Sequence, residues 1–347
     1  MSVRGAFRAQ ARVCERMGSP FTARLCALIA ERLAPGDPVA DRVLGWPGDP
    51  SNRSDALPLR LAGALHGLVI EGKDAGLAAT YPPQDGAATD DALWAAVAAA
   101  FAAHGPGILR RLEGPPQTNE TQRCAALAPG FLTVAALTGL PLATSELGAS
   151  AGLNLIWDRF AYTFGATSWG DPAAPVVIAP DWQGPPPPLP PAVVAERAGC
   201  DRAPPDLARE ADRLRLLSFV WADQTAHKLR TAAAIELARA AGVRVAAADA
   251  PDWIAARLAE PRPGRAHVVY HSIVWQYLGQ PAQDRVRASL DAAGARATAR
   301  APLAWLRMEG DGAAPSAAIT LTLWPGRETR LLGRADFHGA WVEWRGP

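Results

Sequence analysis

Apolar positions in the first 140 residues recur at helical spacing. Val3, Phe7, Cys14 and Met17 fall near one helical face. Ser19-Pro20 reads as a helix start, and Phe21, Leu25, Leu28 and Leu33 continue the pattern beyond it. Residues 35–54 are rich in Gly, Pro, Asp and Ser and read as a loop. Residues 56–70 and 90–104 are helical again, separated by a turn-rich stretch at 72–89. Gly114-Pro115-Pro116 breaks the chain, and residues 118–138 read as a further helix with Thr118 or Asn119 as its N-cap.

The period changes at Gly139-Leu140-Pro141, where short apolar runs begin to alternate with helical segments. That alternation predicts parallel strands joined by helices. Strands are predicted at 141–147, 176–179, 193–197, 243–248, 267–271, 303–308, 317–324 and 329–332. Helices are predicted at 151–160, 206–241 in two pieces, 252–259 and 282–293. Trp324-Pro325-Gly326 reads as a hairpin turn. Residues 161–192, with Tyr162, Trp169, Trp182 and the run 185–188, interrupt the alternation and read as an inserted hairpin or flap. The whole predicts an α/β, Rossmann-like domain at 118–347, with a mainly parallel seven-stranded sheet and an antiparallel C-terminal hairpin. A helical domain at 1–117 precedes it, and this domain and the flap are expected to cover the carboxyl edge of the sheet.

Composition narrows the functional classes. Of 347 residues, 35 are basic and 34 acidic, a formal net charge of +1, which argues against a whole-chain nucleic-acid clamp. Only Lys73 and Lys228 are lysines, so single arginines carry little signal. The run 92–103 is about half the length of a spanning helix, and the first residues lack the apolar core of a secretory signal, so no membrane partner is expected. Cys14, Cys26, Cys124 and Cys200 lack metal-ligand spacing. A cytoplasmic protein without a structural metal is expected, with a small molecule as its substrate.

The informative segment is Ser145-Glu146-Leu147-Gly148-Ala149-Ser150-Ala151-Gly152-Leu153-Asn154. An apolar strand ends in a carboxylate and turns through small residues into a helix. Glycines at 148 and 152 permit positive φ and close approach of a ligand. Free N–H groups of the following helix point at that position. A carboxylate there disfavours a bare phosphate and favours an ammonium or a hydroxyl.

This spacing, E-x-G-x-x-x-G, resembles the first motif of class I S-adenosylmethionine (SAM) methyltransferases, with Ser150 in place of the middle glycine. Gly199-Cys200-Asp201, Asp249-Ala250 and Tyr270-His271-Ser272 follow in the order of that superfamily's later strand ends. The resemblance implies SAM as cofactor, held by Glu146, Gly148, Ser150, Gly152, Asn154, Asp201 at the ribose, and Asp249 with Ala250 at the adenine. It implies a catalytic role for His271 as base or substrate ligand. More narrowly, ELGASAGLNLIWDRFAY with VVYHSIVWQYL resembles a bacterial family of unknown function within that superfamily. In it Thr118-Asn119-Glu120 would bring a polar pair near the site. Ordinary structural roles stand beside each assignment: Glu146, Asp201 and Asp249 as helix caps, Gly148 and Gly152 as turn residues, His271 as an interior histidine.

Two alternatives stay open. One is a catalytically silent protein of the same fold. The other is an α/β-hydrolase, because Gly148 to Gly152 also spells G-x-S-x-G with Ser150 as nucleophile, followed by Asp249 or Asp311 and then His338. Glu146 opposes that reading, since its charge would lie near a developing oxyanion.

Overall fold

The computed structural model describes residues 1–83 and 88–347. Part of the turn-rich stretch predicted at 72–89 therefore lies outside the described residues. The chain divides into two compact units. Unit 1 comprises Met1–Thr118 and Arg209–Leu229; unit 2 comprises Asn119–Ala208 and Arg230–Pro347.

Unit 1 is helical: α1 (Val3–Arg16), α2 (Pro20–Arg32), α3 (Pro38–Leu44), α4 (Leu57–Ile70), α5 (Ala75–Ala78), α6 (Asp90–Glu113) and, from the second segment, α8 (Glu210–Ser218). Helix α3 occupies part of the stretch expected as loop. Asp37 accepts hydrogen bonds from the N–H groups of Val39 and Ala40, and Pro38 pre-sets the first turn, so a seven-residue helix forms without a long apolar stripe. Among the described residues α6 is the one helix long and apolar enough to cross a membrane. Its residues Leu93, Val97, Phe101, Ile108 and Leu112 are buried in the unit's own core with Leu25, Leu61 and Leu65.

Unit 2 contains α7 (Cys124–Thr138), α10 (Ala250–Arg257), α11 (Gln280–Gly294) and most of α9 (Thr225–Ala240), with twelve strands among the described residues. These are β1 (Leu142–Leu147), β2 (Ala161–Phe164), β3 (Thr167–Trp169), β4 (Val177–Ile178), β5 (Asp181–Gln183), β6 (Val194–Asp201), β7 (Ala246–Ala247), β8 (Ala266–Ser272), β9 (Leu303–Gly310), β10 (Ala317–Trp324), β11 (Glu328–Ala335) and β12 (Trp341–Trp344). The main sheet has nine strands, not seven, in the order β5-β12-β11-β10-β9-β8-β1-β6-β7. Pairs from β7 through β9 are parallel, β9 to β12 form an antiparallel meander, and β5 joins β12 in parallel. Every residue of β1 and β8 is buried, as expected of strands in the middle of a parallel sheet, and Ser145, Glu146, His267 and His271 are buried with the apolar residues.

The two extra strands come from pairings that local pattern does not reveal. β12 pairs with β11 through Val342↔Ala335, and β5 pairs with β12 through Trp182↔Val342. The segment expected as a flap thus extends the sheet edge. Its hairpin pairs Tyr162 with Trp169, and Trp182 packs against Trp344 with ring centres 5.9 Å apart. The four cysteines are buried free thiols.

Candidate functional site

The strand order grows outward from β1 through β6 and β7 on one side and through β8 and β9 on the other. In open α/β sheets the ligand crevice lies beyond the carboxyl ends of the strands at such a reversal. Here those ends carry Glu146 on β1, Asp201 on β6, Tyr270 and His271 on β8, and Glu309 on β9.

Glu146 is 2% exposed. Burial pushes its carboxyl up to about 8, against hydrogen bonding from Tyr270 and Asn154 and the nearby charge of Arg123. The Tyr270 hydroxyl lies 3.1 Å from Glu146 Oε2 and 3.3 Å from the Asn154 carbonyl. Asn154 is held in turn: its Nδ2 donates to the Glu120 carbonyl at 3.4 Å and its Oδ1 accepts from the Cys124 thiol at 3.2 Å. Asn119 Oδ1 accepts from the Leu153 N–H at 2.9 Å. Asn119 and the Glu120 carbonyl therefore anchor the start of the turn that follows the loop, while the Glu120 carboxylate accepts the Gln122 N–H at 2.9 Å and caps the 3₁₀ turn leading into α7.

The loop itself is left-handed at alternate residues, with φ of +67° at Gly148, +50° at Ser150 and +78° at Gly152. Serine in that conformation is unfavourable and is held there by its neighbours. The Ser150 N–H donates to Asp201 Oδ2 at 3.0 Å, while Asp201 Oδ1 accepts from the Ala203 N–H at 3.0 Å. Asp201 thus ties the loop after β1 to the turn after β6. The Ser150 hydroxyl is buried and has no hydrogen-bond partner among the described residues. Gly148 and Gly152 also serve packing. A Cβ at Gly148 would lie 2.5 Å from Val274 Cγ2, and one at Gly152 would lie 2.7 Å from Val243 Cγ1. The close approach at both positions is made by the protein's own valines, and the N–H groups of Ala149, Ser150 and Gly152 donate to the Cys200 carbonyl, Asp201 and the Ala149 carbonyl within the protein. Beyond Gly152 the expected helix is a 3₁₀ segment (Leu153–Arg159) broken at Ile156. Asp158 within it makes a bidentate pair with Arg197 at 2.9 and 3.1 Å.

His271 is fully buried, and both ring nitrogens are engaged. Nε2 accepts from the Trp305 indole at 3.1 Å, which leaves the proton on Nδ1 for Glu309 Oε1 at 2.6 Å. Trp275 stacks on the ring at 5.1 Å. His271 is therefore held in one orientation with both ring nitrogens hydrogen-bonded. Glu309 Oε1 also takes the N–H groups of Val274 at 3.0 Å and Trp275 at 3.3 Å. The same carboxylate thus fixes the segment that lays Val274 against Gly148. Asp249 stands exposed at the start of α10 without a side-chain cap bond, and Ala250 is buried behind it. The predicted strand at 243–248 shrinks to Ala246–Ala247, the two residues that pair with Cys200 and Asp201, because the Val243 N–H is bonded back to the Ala238 carbonyl of α9; Val243 and Val245 lie close to Gly152.

Tyr270 is named in sequence only as part of a strand end, and Glu309, Trp305 and Arg123 are not among the residues the sequence singles out for the site. Glu309 closes an apolar strand much as Glu146 does, and that was its available signal. Arg123 donates to the Phe337 carbonyl at 3.0 Å and the Ser272 carbonyl at 3.4 Å, pairings across 214 and 149 residues that no local pattern announces. For the hydrolase alternative, Ser150 Oγ has no histidine bonded to it; Asp311 is paired with Arg334 at 2.6 Å, and His338 Nδ1 lies 3.8 Å from Asp336. Among the described residues no group of three His, Cys, Asp or Glu side chains is placed to hold a metal ion.

Comparison with curated proteins and with solved structures found no match. A family model described as an uncharacterised protein conserved in bacteria (DUF2332) matches residues 4–344, and the chain belongs to that family.

Proposed function

We propose that this chain is a SAM-dependent methyltransferase acting on a small or medium-sized molecule. The observation that carries the proposal is the Asp201–Ser150 bond, which ties a left-handed, glycine-flanked loop to a second acid-ended strand beside the reversal of strand order. The order β7-β6-β1-β8-β9 is that of a doubly wound sheet, which supports a Rossmann-like domain of the methyltransferase type.

The donor set suits this cofactor. The buried, unpartnered Ser150 hydroxyl and the buried Glu146 carboxyl lie on one strand–loop turn and could meet an amino-acid moiety. Asp201 would meet the ribose hydroxyls, and Asp249 with Ala250 the adenine. Gly148 and Gly152 would contribute backbone groups, and Asn154 would act by holding the loop. When bound, the sulfonium supplies a methyl group already activated for transfer. The protein's work is then to orient the acceptor and exclude water. His271, with both nitrogens engaged, shapes the site through Trp275 and Trp305 rather than moving a proton.

Titration calorimetry with SAM and its demethylated product tests the reading. Both should bind; absence of binding of either at about 1 mM, a weak affinity by any ligand scale, would overturn it. Binding without transfer to any acceptor would favour the silent alternative.

Ser150→Ala should weaken SAM binding by about 1 kcal/mol, the scale of one hydrogen bond. Ser150→Gly should retain binding and raise thermal stability, because glycine relieves the left-handed backbone. Covalent labelling of Ser150 by a fluorophosphonate, with no SAM binding, would establish the hydrolase instead.

Glu146 also predicts a pH dependence. Its carboxyl is raised to about 8, so near pH 7 it is largely protonated in the free protein. A cationic ligand group binds the ionised form, so affinity should rise with pH up to about 8, by at most about tenfold per pH unit. Calorimetry in buffers of different ionisation enthalpy should record proton release on binding. Glu146→Gln should abolish both effects.

A further inference from the structure

Unit 1 has a cavity of about 570 Å³ lined by residues of α4, α6 and α8 and the turn after α4. That size lies in the range of small-molecule sites. Four cations (Lys73, Arg110, Arg111 and Arg215) face it against two carboxylates, Glu71 and Asp212. The local excess of two positive charges exceeds the +1 of the whole chain.

The arrangement is built rather than incidental. A Cβ at Gly67 would lie 2.6 Å from Arg111 Nη1, and one at Gly114 would lie 2.4 Å from Arg215 Nη2. Two glycines therefore make room for the two guanidinium groups that line the same cavity. Arg111 pairs with Glu71, which Lys73 also meets at 2.8 Å, so one carboxylate is shared by two cations. Burial alone would raise the Glu71 carboxyl, yet Lys73 and Arg111 hold it below the usual carboxylate range. Arg215 lies over the Phe219 ring at 5.1 Å and donates to the Pro115 carbonyl at 2.9 Å. Burial lowers its pKa, and the charges of Arg111 and Arg60 lower it further, the sign of cations crowded without enough counter-charge. Arg110 has no hydrogen-bond or ion-pair partner among the described residues. The floor is apolar, formed by Leu68, Ala103 and Pro106.

We infer that this cavity binds a phosphorylated small molecule, dianionic at neutral pH, with its phosphoryl group between Arg110, Arg111 and Arg215 and its apolar part on Leu68 and Ala103. Planar guanidinium groups match phosphoryl oxygens in pairs, and a phosphate monoester carries close to the two charges that the lining leaves uncompensated. The site is independent of the proposed SAM site and stands or falls separately.

Phenyl phosphate, inorganic phosphate and phenol are the probes, titrated calorimetrically into the full chain at low ionic strength, with potassium chloride as control. Phenyl phosphate should bind more tightly than inorganic phosphate, and phenol should not bind. Arg110→Gln should weaken phenyl phosphate by about threefold, and the double variant Arg110→Gln/Arg215→Gln by about tenfold or more, the scale of charge-assisted hydrogen bonds. If the double variant does not fold, Arg110→Glu, at an exposed and unpaired position, should by itself give the tenfold loss. No binding of phenyl phosphate at about 10 mM, equal binding of phenol, or an affinity unchanged by Arg110→Glu would overturn the proposal.

Discussion

Gly148→Val should destabilise unit 2 by about 3 kcal/mol or more and, on the proposed function, abolish SAM binding. Valine is among the residues least able to adopt the left-handed φ of +67° found there, which alone costs about 1–2 kcal/mol. Its Cβ would also lie 2.5 Å from Val274 Cγ2, and overpacking of that kind adds about 1–3 kcal/mol. Thermal unfolding should show a midpoint lowered by roughly 10 °C for a unit of this size. Gly148→Ala, combined with Val274→Ala, separates the two causes. The double variant should recover the steric part and keep the backbone part. A Gly148→Val protein with unaltered stability would show that the loop conformation after β1 is not what holds Val274 in place.

Glu309→Ala is expected to cost about 3–5 kcal/mol, because one carboxylate oxygen serves three donors: His271 Nδ1 and the backbone N–H groups of Val274 and Trp275. Removing it leaves all three without their acceptor, and His271 is fully buried. The segment after β8 should loosen, and with it the valine that packs on Gly148. Hydrogen exchange at the amides of residues 274 and 275 should quicken well beyond the change at β12, three strands away from β9 in the sheet. Glu309→Gln keeps an acceptor in place and should lose less than half as much. Equal losses in the two variants would mean that charge, rather than hydrogen bonding, holds the segment.

The two predictions show how unevenly the site was written in the chain. The turn after β1 was legible because its ingredients are adjacent: an apolar run, Glu146, and glycines four residues apart. The parallel core was legible from the alternation of short strands with helical segments, although β1 and β8 carry Ser145, Glu146, His267 and His271 among their apolar residues. The glycines themselves were read as ligand-facing, whereas Val274 and Val243 fill the space their missing side chains leave. Nothing at positions 148 or 152 encodes which residue will arrive there.

Local chemistry, then, determined the helical first third, the onset of alternation at Gly139, the acid-ended β1 and the hairpin at Trp324-Pro325-Gly326, because each depends on residues within a few positions of one another. Tertiary structure decided the nine-stranded sheet, since the short edge strand β5 exists only by pairing with β12 across more than 150 residues. It also decided that His271 is held by Glu309 and Trp305 instead of being free, and that Glu146 is buried far enough to titrate near neutrality. Burial and hydrogen-bond partnership are properties of the surroundings, and those are assembled only when distant strands bring their ends together.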